Sequence, residues 1–376
     1  MNSIFSNKIR NDSSAKRTSE SYFRFIDRSS DTEVAKVRSE IDALLALYPS
    51  NSRGALISRL RARDDHQFES ASFELLLYKL LMITGNDVLG VEPETDSGKT
   101  PDFFLRHKSG QEYYLEATVE RGASERRATA RKRLQDFSDG LKKLRSPRYH
   151  LGLTTSEFPK EQLSVRSVRS AVQKWIDNLP DELLAAKNQK QKFDLNGFEF
   201  SLRVVGERGP KSKSPIGMHS LPVFSRTPGE GIRESVFQKG ARYRNVNEPF
   251  LVAISVSTFS GDKEDLEAAL FGSPNITIRT FEDGTTEEFG GQNPDGAFLG
   301  KQPRYRNISA AIAFSNFSIW GCKHARAMAF HHPWANAPIP KCVFPYDQFF
   351  PNHALGELEL IPGKQVSELM QSASFR

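Results

Sequence analysis

Hydrophobic residues recur at helical spacing in the first quarter of the chain. Ser30 stands three residues before Glu33, which is the spacing of a capping box, and the apolar positions that follow predict a helix that Pro49 ends. A shorter helix is predicted over 52–63. The next segment, 66–83, is apolar nearly all round and therefore predicts a buried helix.

Strands and helices alternate beyond this helix. Apolar runs typical of strands lie at 88–91, 102–106, 112–119, 149–154, 198–206, 249–257, 274–281 and 308–318. Helical patterns separate many of them, at 124–145, 167–187, 232–243 and 263–271. The alternation predicts the α/β class, with a mixed sheet flanked by helices. The stretch 206–231 is rich in Gly, Pro, Ser and basic residues and predicts a long loop.

The domain organisation is less marked than the elements. The 376 residues would allow two to three domains at about 150 residues each, but no boundary is sharp enough to divide 30–376. We therefore expect a single core with additions at both ends. The predicted parts are a flexible basic arm at 1–29, N-terminal helices at 30–65, the core at 66–260 and a strand-rich C-terminal extension at 261–376 packed on the core.

Composition excludes several classes of protein. Hydrophobic residues make up 38% of the chain, enough for a sizeable core, so the chain is not wholly disordered. No apolar stretch approaches the length of a membrane span, and the N-terminus lacks the apolar region of a secretory signal. The two cysteines, Cys322 and Cys342, exclude a disulfide framework and favour a cytoplasmic location. The net charge of +6 is compatible with a polyanionic partner.

The segment TPDFFLRHKSGQEYYLEATV, residues 100–119, predicts a β-hairpin. Its three-residue loop ends in Gly110, where such a loop needs a left-handed residue. This loop sets the register so that opposite residue numbers sum to 218, and Asp102 then faces Glu116. Two carboxylates so placed repel each other unless one is protonated or a cation lies between them. Mg²⁺ and Mn²⁺ suit such hard oxygen ligands.

Two further residues belong with this pair. Thr118 lies two residues beyond Glu116, on the same face of the strand. Glu74 lies on the predicted buried helix, where a carboxylate needs a partner, a metal or a proton. The alternative is an ordinary hairpin whose carboxylates face solvent.

These residues resemble the PD-(D/E)xK nuclease superfamily, which has the restriction-endonuclease-like fold. Pro101-Asp102 matches the PD element, Glu116-Ala117-Thr118 matches ExK with Thr in the Lys position, and Glu74 in FELLLYKLL matches a glutamate of the first core helix. The resemblance covers 66–119. It implies a metal-dependent nuclease that hydrolyses phosphodiester bonds of nucleic acid, DNA more than RNA. By analogy it suggests a role in restriction or phage defence, without a membrane partner and compatibly with a homodimer.

The resemblance also implies a site. Asp102, Glu116 and the backbone carbonyl of Ala117 would hold Mg²⁺ (or Mn²⁺), with Glu74 as a further metal or water ligand. Thr118 carries no charge, so a basic or amide side chain from a helix has to replace the lysine if the site is active. The candidates are Arg127, Arg131, Lys132, Gln135 and Lys239. We expect Gln135 or Lys132 nearest to the metal site, and Lys239 third.

A basic segment follows the hairpin. Residues 121–148 contain ten Lys and Arg against three Asp and Glu. Such a helix beside a two-carboxylate site fits contacts to phosphates, and we expect four residues to make them: Arg126, Arg127, Arg131 and Arg133. The same run is also compatible with a solvated charged face. The rival function is a catalytically inactive nuclease-fold protein that binds nucleic acid or acts as a scaffold.

Overall fold

The computed structural model describes residues 3–17, 20–95, 98–120, 125–187, 189–209, 215–220, 229–256, 262–281, 284–352 and 357–372. The chain divides into two compact units. Unit 1 consists of Met1–Gly122 and Thr227–Arg376, and unit 2 of Ala123–Arg226. The undivided core expected over 66–260 is therefore split, because the chain forms a second set of elements with its own apolar core between two segments of unit 1.

Four helices open unit 1: α1 (Tyr22–Arg28), α2 (Thr32–Leu47), α3 (Arg53–Leu60) and α4 (Asp65–Ile83). The cap of α2 is Asp31 and not Ser30, because the Asp31 carboxylate accepts hydrogen bonds from the backbone N–H groups of Glu33 and Val34. Helix α4 is buried along most of its length, as its apolar pattern predicts.

The N-terminal segment is not the mobile arm that its polar composition suggests. Over its described residues, Ile4, Phe5 and Ile26 are buried in the same apolar core as α2 and α4. The Asp27 carboxylate accepts hydrogen bonds from Ser6 and from the Lys8 ammonium. A few well-spaced apolar residues thus suffice to pack the segment against the helices.

Eight strands form the main sheet of unit 1. In their order across the sheet they are β1 (Asn86–Val91), β2 (Phe103–His107), β3 (Glu112–Val119), β8 (Phe250–Val256), β11 (Ala310–Ser315), β12 (Arg326–His331), β13 (Asp347–Asn352) and β14 (Glu357–Ile361), numbered in chain order over both units. Strands β1, β2 and β3 are antiparallel, whereas β8 runs parallel to both β3 and β11. The predicted mixed α/β sheet is confirmed.

The remaining elements of unit 1 are α8 (Glu230–Arg242), α9 (Lys263–Phe271), the pair β9 (Pro274–Thr280) and β10 (Thr286–Gln292), a 3₁₀ helix (Lys341–Val343) and α10 (Val366–Ser372). Both faces of the main sheet are covered. Leu251 and Ala253 of β8 belong to the core that includes α4, while Val252 and Ile254 belong to the core that includes α8. This alternation follows from the two-residue period of a strand.

Unit 2 contains α5 (Glu125–Leu141), β4 (Tyr149–Thr154), α6 (Val165–Asp177), α7 (Leu183–Lys187), β5 (Lys190–Leu195), β6 (Phe198–Glu207) and β7 (Ile216–Ser220). Its sheet has the order β5-β6-β4-β7. The single helix expected over 167–187 is two helices, because Pro180 lies between them. The expected loop at 206–231 contains β7, which gains its partner by pairing with β4.

In the described part of the chain, no helix has both the length and the apolar character needed to cross a membrane.

Candidate functional site

The hairpin of β2 and β3 has the predicted register. Phe104 pairs with Tyr114 and Arg106 with Glu112, so that opposite numbers sum to 218. Gly110 has a φ of +88°, as the turn requires. Phe103 and Leu115 lie on the core face. The hairpin therefore places Asp102 beside the strand position that Glu116 occupies.

Asp102 lies just before β2 begins and extends the hairpin by a side-chain contact. Its Oδ2 accepts a hydrogen bond from the backbone N–H of Ala117 at 2.6 Å. The carboxylate thus pairs with β3 at the point where the regular β2 ladder has ended, which fixes it next to Glu116. This hydrogen bond holds the end of β2 on β3 through Asp102 Oδ2, and Asp102 Oδ1 takes no part in it.

Glu116 is 3% exposed and is held by helix α8. Lys239 Nζ lies 2.6 Å from Glu116 Oε1, and the Tyr243 hydroxyl donates to Oε2 at 2.7 Å. Arg242 is farther away, with its Nη1 at 3.8 Å from Oε1. Residues 239 and 243 are four apart and so share one face at the end of α8. The helix is anchored by the buried Ile232 and Val236.

Burial and neighbouring charge change the acidity of Asp102 and of Tyr243. Burial raises the pKa of Asp102 well above its usual range, and the negative charges of Glu116 and Glu74 raise it further. The pKa of the Tyr243 hydroxyl is also raised, first by burial and then by Glu116. Burial and the two neighbouring carboxylates therefore both favour the protonated form of Asp102.

Glu74, on α4, is 2% exposed and forms a second buried polar cluster with Tyr48 and Arg59. The Tyr48 hydroxyl donates to its Oε1 at 2.5 Å, and Arg59 Nη2 donates to its Oε2 at 2.6 Å. Burial raises the pKa of Glu74, and Arg59 opposes that rise. Since the charge of Glu74 raises the pKa of Asp102, it lies within electrostatic range of the pair. Both oxygens of Glu74 are held by Tyr48 and Arg59, and its role as a metal or water ligand stays a prediction.

The candidates for the missing lysine are placed differently. Lys239, ranked third from sequence, contacts Glu116 directly. Gln135 belongs to unit 2, where its side-chain amide donates to Asp139, and Lys132 is exposed in that unit. A role for Gln135 or Lys132 beside the pair stays a prediction. Thr118 is half-buried on β3, two residues from Glu116.

The residues expected to contact nucleic acid lie on α5 of unit 2. Arg133 donates a hydrogen bond to the backbone carbonyl of Lys160. The side chains of Arg126, Arg127 and Arg131 lie outside the described part of the structure. Their contacts with nucleic acid, and the replacement of the lysine by Arg127 or Arg131, therefore stay predictions.

Three contacts were missed from the sequence. Tyr243 holds Glu116, and Tyr48 and Arg59 hold Glu74. For Tyr243 a signal existed, since it follows Lys239 by four residues in ESVFQKGARYR and so shares its helix face. Tyr48, the cap residue that follows α2, and Arg59 of α3 lie 26 and 15 residues from Glu74 in sequence and give no such signal.

The donor set suits a hard divalent cation in kind. Asp102 and Glu116 provide carboxylate oxygens, and a carboxylate oxygen that accepts one hydrogen bond keeps a second lone pair. Against this, no group of three or more His, Cys, Asp or Glu side chains comes together as a metal-binding set among the described residues. A metal here would therefore need backbone or water oxygens as further ligands.

No protein-family model, curated protein or solved structure matches this chain.

Proposed function

We propose that the protein is a metal-dependent nuclease that hydrolyses phosphodiester bonds of nucleic acid. The observation that supports it most is the contact of Lys239 Nζ with Glu116 Oε1 at 2.6 Å, beside Asp102. An ExT motif leaves a nuclease site without its lysine. Helix α8 brings the ammonium group of Lys239 to the same carboxylate, and this contact supports Lys239 as the replacement for the missing lysine.

The proposal assigns a task to each residue. Asp102, Glu116 and the Ala117 carbonyl would hold Mg²⁺ or Mn²⁺, which when bound activates water and offsets charge at phosphorus. Lys239 supplies positive charge toward the phosphate. Tyr243 fixes the Glu116 carboxylate by donating to Oε2. A metal ligand has to be the charged carboxylate, so the raised pKa of Asp102 should make metal binding weaker as the pH falls.

The fold is part of the same proposal. The resemblance implies a restriction-endonuclease-like sheet, and in unit 1 the helix α4, the strands β1 to β3, the helix α8 and the strand β8 follow one another in chain order. Strand β8 lies parallel to β3, and α8 packs on the face from which Glu116 projects. This arrangement supports the proposed fold by bringing Lys239 to the ExT strand.

The charge distribution supports a polyanionic substrate. Unit 2 contains 21 Lys and Arg against 11 Asp and Glu, a formal charge of +10, whereas unit 1 contains 31 against 35, a formal charge of −4. The chain's surplus of positive charge therefore resides entirely in unit 2. We propose DNA as the substrate ahead of RNA, and restriction or phage defence in the cytoplasm as the setting, by analogy with the family alone.

One observation favours the second candidate, an inactive nuclease-fold protein that binds nucleic acid or acts as a scaffold. Both oxygens of Glu116 accept hydrogen bonds, and one oxygen of Asp102 does so too. With no larger metal-binding group among the described residues, the same side chains would serve equally well to hold α8 on the sheet.

A cleavage assay separates the two functions. Plasmid DNA and single-stranded RNA are incubated with the protein and Mg²⁺, Mn²⁺ or EDTA. We expect cleavage of DNA with either metal and none with EDTA. Asp102→Ala and Glu116→Ala should abolish cleavage and leave nucleic-acid binding nearly unchanged, because the acids serve the metal and repel phosphate without it.

Glu112→Ala is the matched control, since Glu112 is an acid of the same strand that pairs with Arg106 away from the site. It should cleave as the wild type does. Inactivity of the wild type with every metal, together with intact binding, would favour the scaffold. Loss of folding in the Asp102 and Glu116 variants, seen by circular dichroism, would make the pair structural.

A further inference from the structure

A loop of unit 1 is fixed against the end of α8. Tyr305 has a φ of +49°, and its ring lies over Gly240, where a Cβ atom would come within 2.4 Å of the ring. The same ring lies 5.4 Å from that of Phe237. Asn307 Nδ2 donates to the carbonyls of Gly240 and Tyr243 at 3.1 and 2.9 Å. The loop therefore has a defined position relative to the helix that carries Lys239.

This loop presents arginines next to a cavity. Arg304 and Arg306 flank Tyr305 in sequence, and Arg244 directly follows Tyr243, the C-terminal cap of α8. Together they line a cavity of about 530 Å³ with four other residues: Pro303, Tyr305, Asn307 and Asn336. None of these lining residues is acidic. Arg306 is held by its Nε, which donates to the Trp334 carbonyl at 2.8 Å, so its terminal N–H groups remain for another acceptor.

The composition of the cavity selects its ligand. Three arginines and no acid line the space, so its electrostatic potential favours an anion. Guanidinium groups match the oxygen geometry of phosphate through paired N–H donors. The negative end of the α8 dipole would oppose an anion, but the Asn307 amide already covers the Gly240 and Tyr243 carbonyls there.

We propose that this cavity, formed by Arg244, Arg304 and Arg306, binds a backbone phosphate of the nucleic-acid strand. The inference rests on the proposed function, because it takes the strand to be the one whose bond is cleaved beside Glu116. Lys239 lies in the last turn of α8 and Arg244 follows the Tyr243 cap of that helix, so the cavity and the Glu116 contact belong to the same end of α8.

Binding measured without metal tests the cavity apart from cleavage. Fluorescence anisotropy gives the Kd of a short labelled DNA duplex and of a single strand in EDTA, between about 50 and 200 mM NaCl. Arg244→Gln is the first variant, because no hydrogen bond or ion pair of Arg244 with another described residue is present. Arg304→Gln is the second. Arg326→Gln is the control: it also removes one positive charge, but Arg326 is the first residue of β12 and does not line the cavity.

We expect Arg244→Gln and Arg304→Gln to raise the Kd about fivefold and to lower the slope of log Kd against log[salt] by about 0.7–0.9, the value of one phosphate contact. Arg326→Gln should change neither. Equal Kd values and slopes for all three variants would overturn the cavity proposal, even if the wild type cleaves. A cavity-dependent slope in a protein that never cleaves would keep the cavity and overturn the nuclease.

Inorganic phosphate separates the two sources of the ligand. The Tm of the wild type and of Arg244→Gln is measured at increasing concentrations of phosphate. A sulfate-free salt at the same ionic strength is the reference. If the cavity takes a strand phosphate, phosphate should compete weakly for the labelled DNA and raise the Tm of the wild type only slightly. Strong stabilisation of the wild type by phosphate, lost in Arg244→Gln, with DNA binding unchanged, would mean that the cavity binds free phosphate and would overturn the proposal. Absence of DNA binding by the wild type would overturn it as well.

Discussion

The Glu116 carboxylate contacts an ammonium group from helix α8. In the ExK pattern the lysine instead lies two residues beyond the glutamate on the same strand. A lysine at position 118 would lie about 7 Å along β3 on the same face, whereas Lys239 reaches Glu116 across the fold from α8. Glu116 is buried, so its charge needs a partner wherever that partner comes from. Removal of Lys239 should therefore affect both the chemistry and the stability of the site, and an experiment has to separate the two.

A rescue experiment does so. Lys239→Ala should lower kcat of DNA cleavage by about 10²–10⁴, the size of a lost proton-transfer or charge contribution. Adding Thr118→Lys to that variant should restore at least part of the rate, because a lysine at 118 projects to the same face as Glu116. Gln238→Ala, a change at an exposed neighbour on α8, is the control and should leave kcat unchanged.

The rate is measured under single-turnover conditions with saturating metal, and the Tm of each variant is recorded. A Tm that falls while kcat is maintained would make Lys239 a structural partner of Glu116. If the double variant is as slow as Lys239→Ala, and both are as inactive as Glu116→Ala, a lysine at position 118 cannot replace Lys239.

At the scale of elements, the sequence pattern predicted those strands, helices and turns whose position depends on residues close in sequence. Strands β3 and β4 and helix α9 begin and end where their apolar runs do. The hairpin register followed from its loop, and with it the juxtaposition of Asp102 and Glu116. Strands β12, β13 and β14 lie in the C-terminal extension that was expected to be strand-rich, but they were not predicted one by one, because no local turn marks the parallel pairing of β12 with β13. For the same reason Lys239, 123 residues from Glu116, ranked below the nearer Gln135 and Lys132.

Two buried histidines lie at the end of β12: His331 is its last residue and His332 follows it. The Nε2 of His332 lies 2.7 Å from the Arg304 carbonyl, and its Nδ1 accepts the Trp334 N–H at 3.0 Å, so the neutral ring satisfies both contacts. His331 stacks on Phe350 with ring centroids 3.7 Å apart. Burial lowers the pKa of each histidine to about 4. Both rings are therefore neutral in the folded protein at pH 5, where unfolded histidines are charged.

This difference predicts how stability depends on pH. Between about pH 6.5 and 4 the unfolded chain binds more protons, so the free energy of unfolding should fall as pH falls and reach its full value above about 6.5. Each histidine should account for about 2 kcal/mol between pH 7.5 and 5. Urea denaturation of the wild type and His331→Phe at both pH values measures it, and the difference between the two pH values should be smaller in the variant by about that amount. An unchanged difference would mean that His331 titrates normally.

At the scale of the whole molecule, the chain separates positive charge from the proposed chemistry. Unit 2 has a formal charge of +10, while unit 1, which contains Asp102 and Glu116, has −4. Charge contacts with phosphates release counterions and therefore make binding depend on salt. If nucleic acid is held mainly by unit 2 and cut by unit 1, then the salt dependence of binding and the metal dependence of cleavage arise from different residues.

A comparison of two triple variants tests that division. Arg126→Gln/Arg127→Gln/Arg131→Gln removes three charges from α5, and Lys187→Gln/Lys190→Gln/Lys192→Gln removes three from another part of unit 2. We expect the α5 triple to lower the slope of log Kd against log[salt] for duplex DNA by about 2–3, at about 0.9 per phosphate contact, and the control triple to change it much less. Single-turnover cleavage at saturating protein should stay near the wild-type rate in both, because Asp102 and Glu116 are intact. Equal slopes in the two triples would show that the charge of unit 2 acts collectively and not through α5, whereas a loss of cleavage at full binding would place α5 in the chemistry, as the prediction for Gln135 and Lys132 requires.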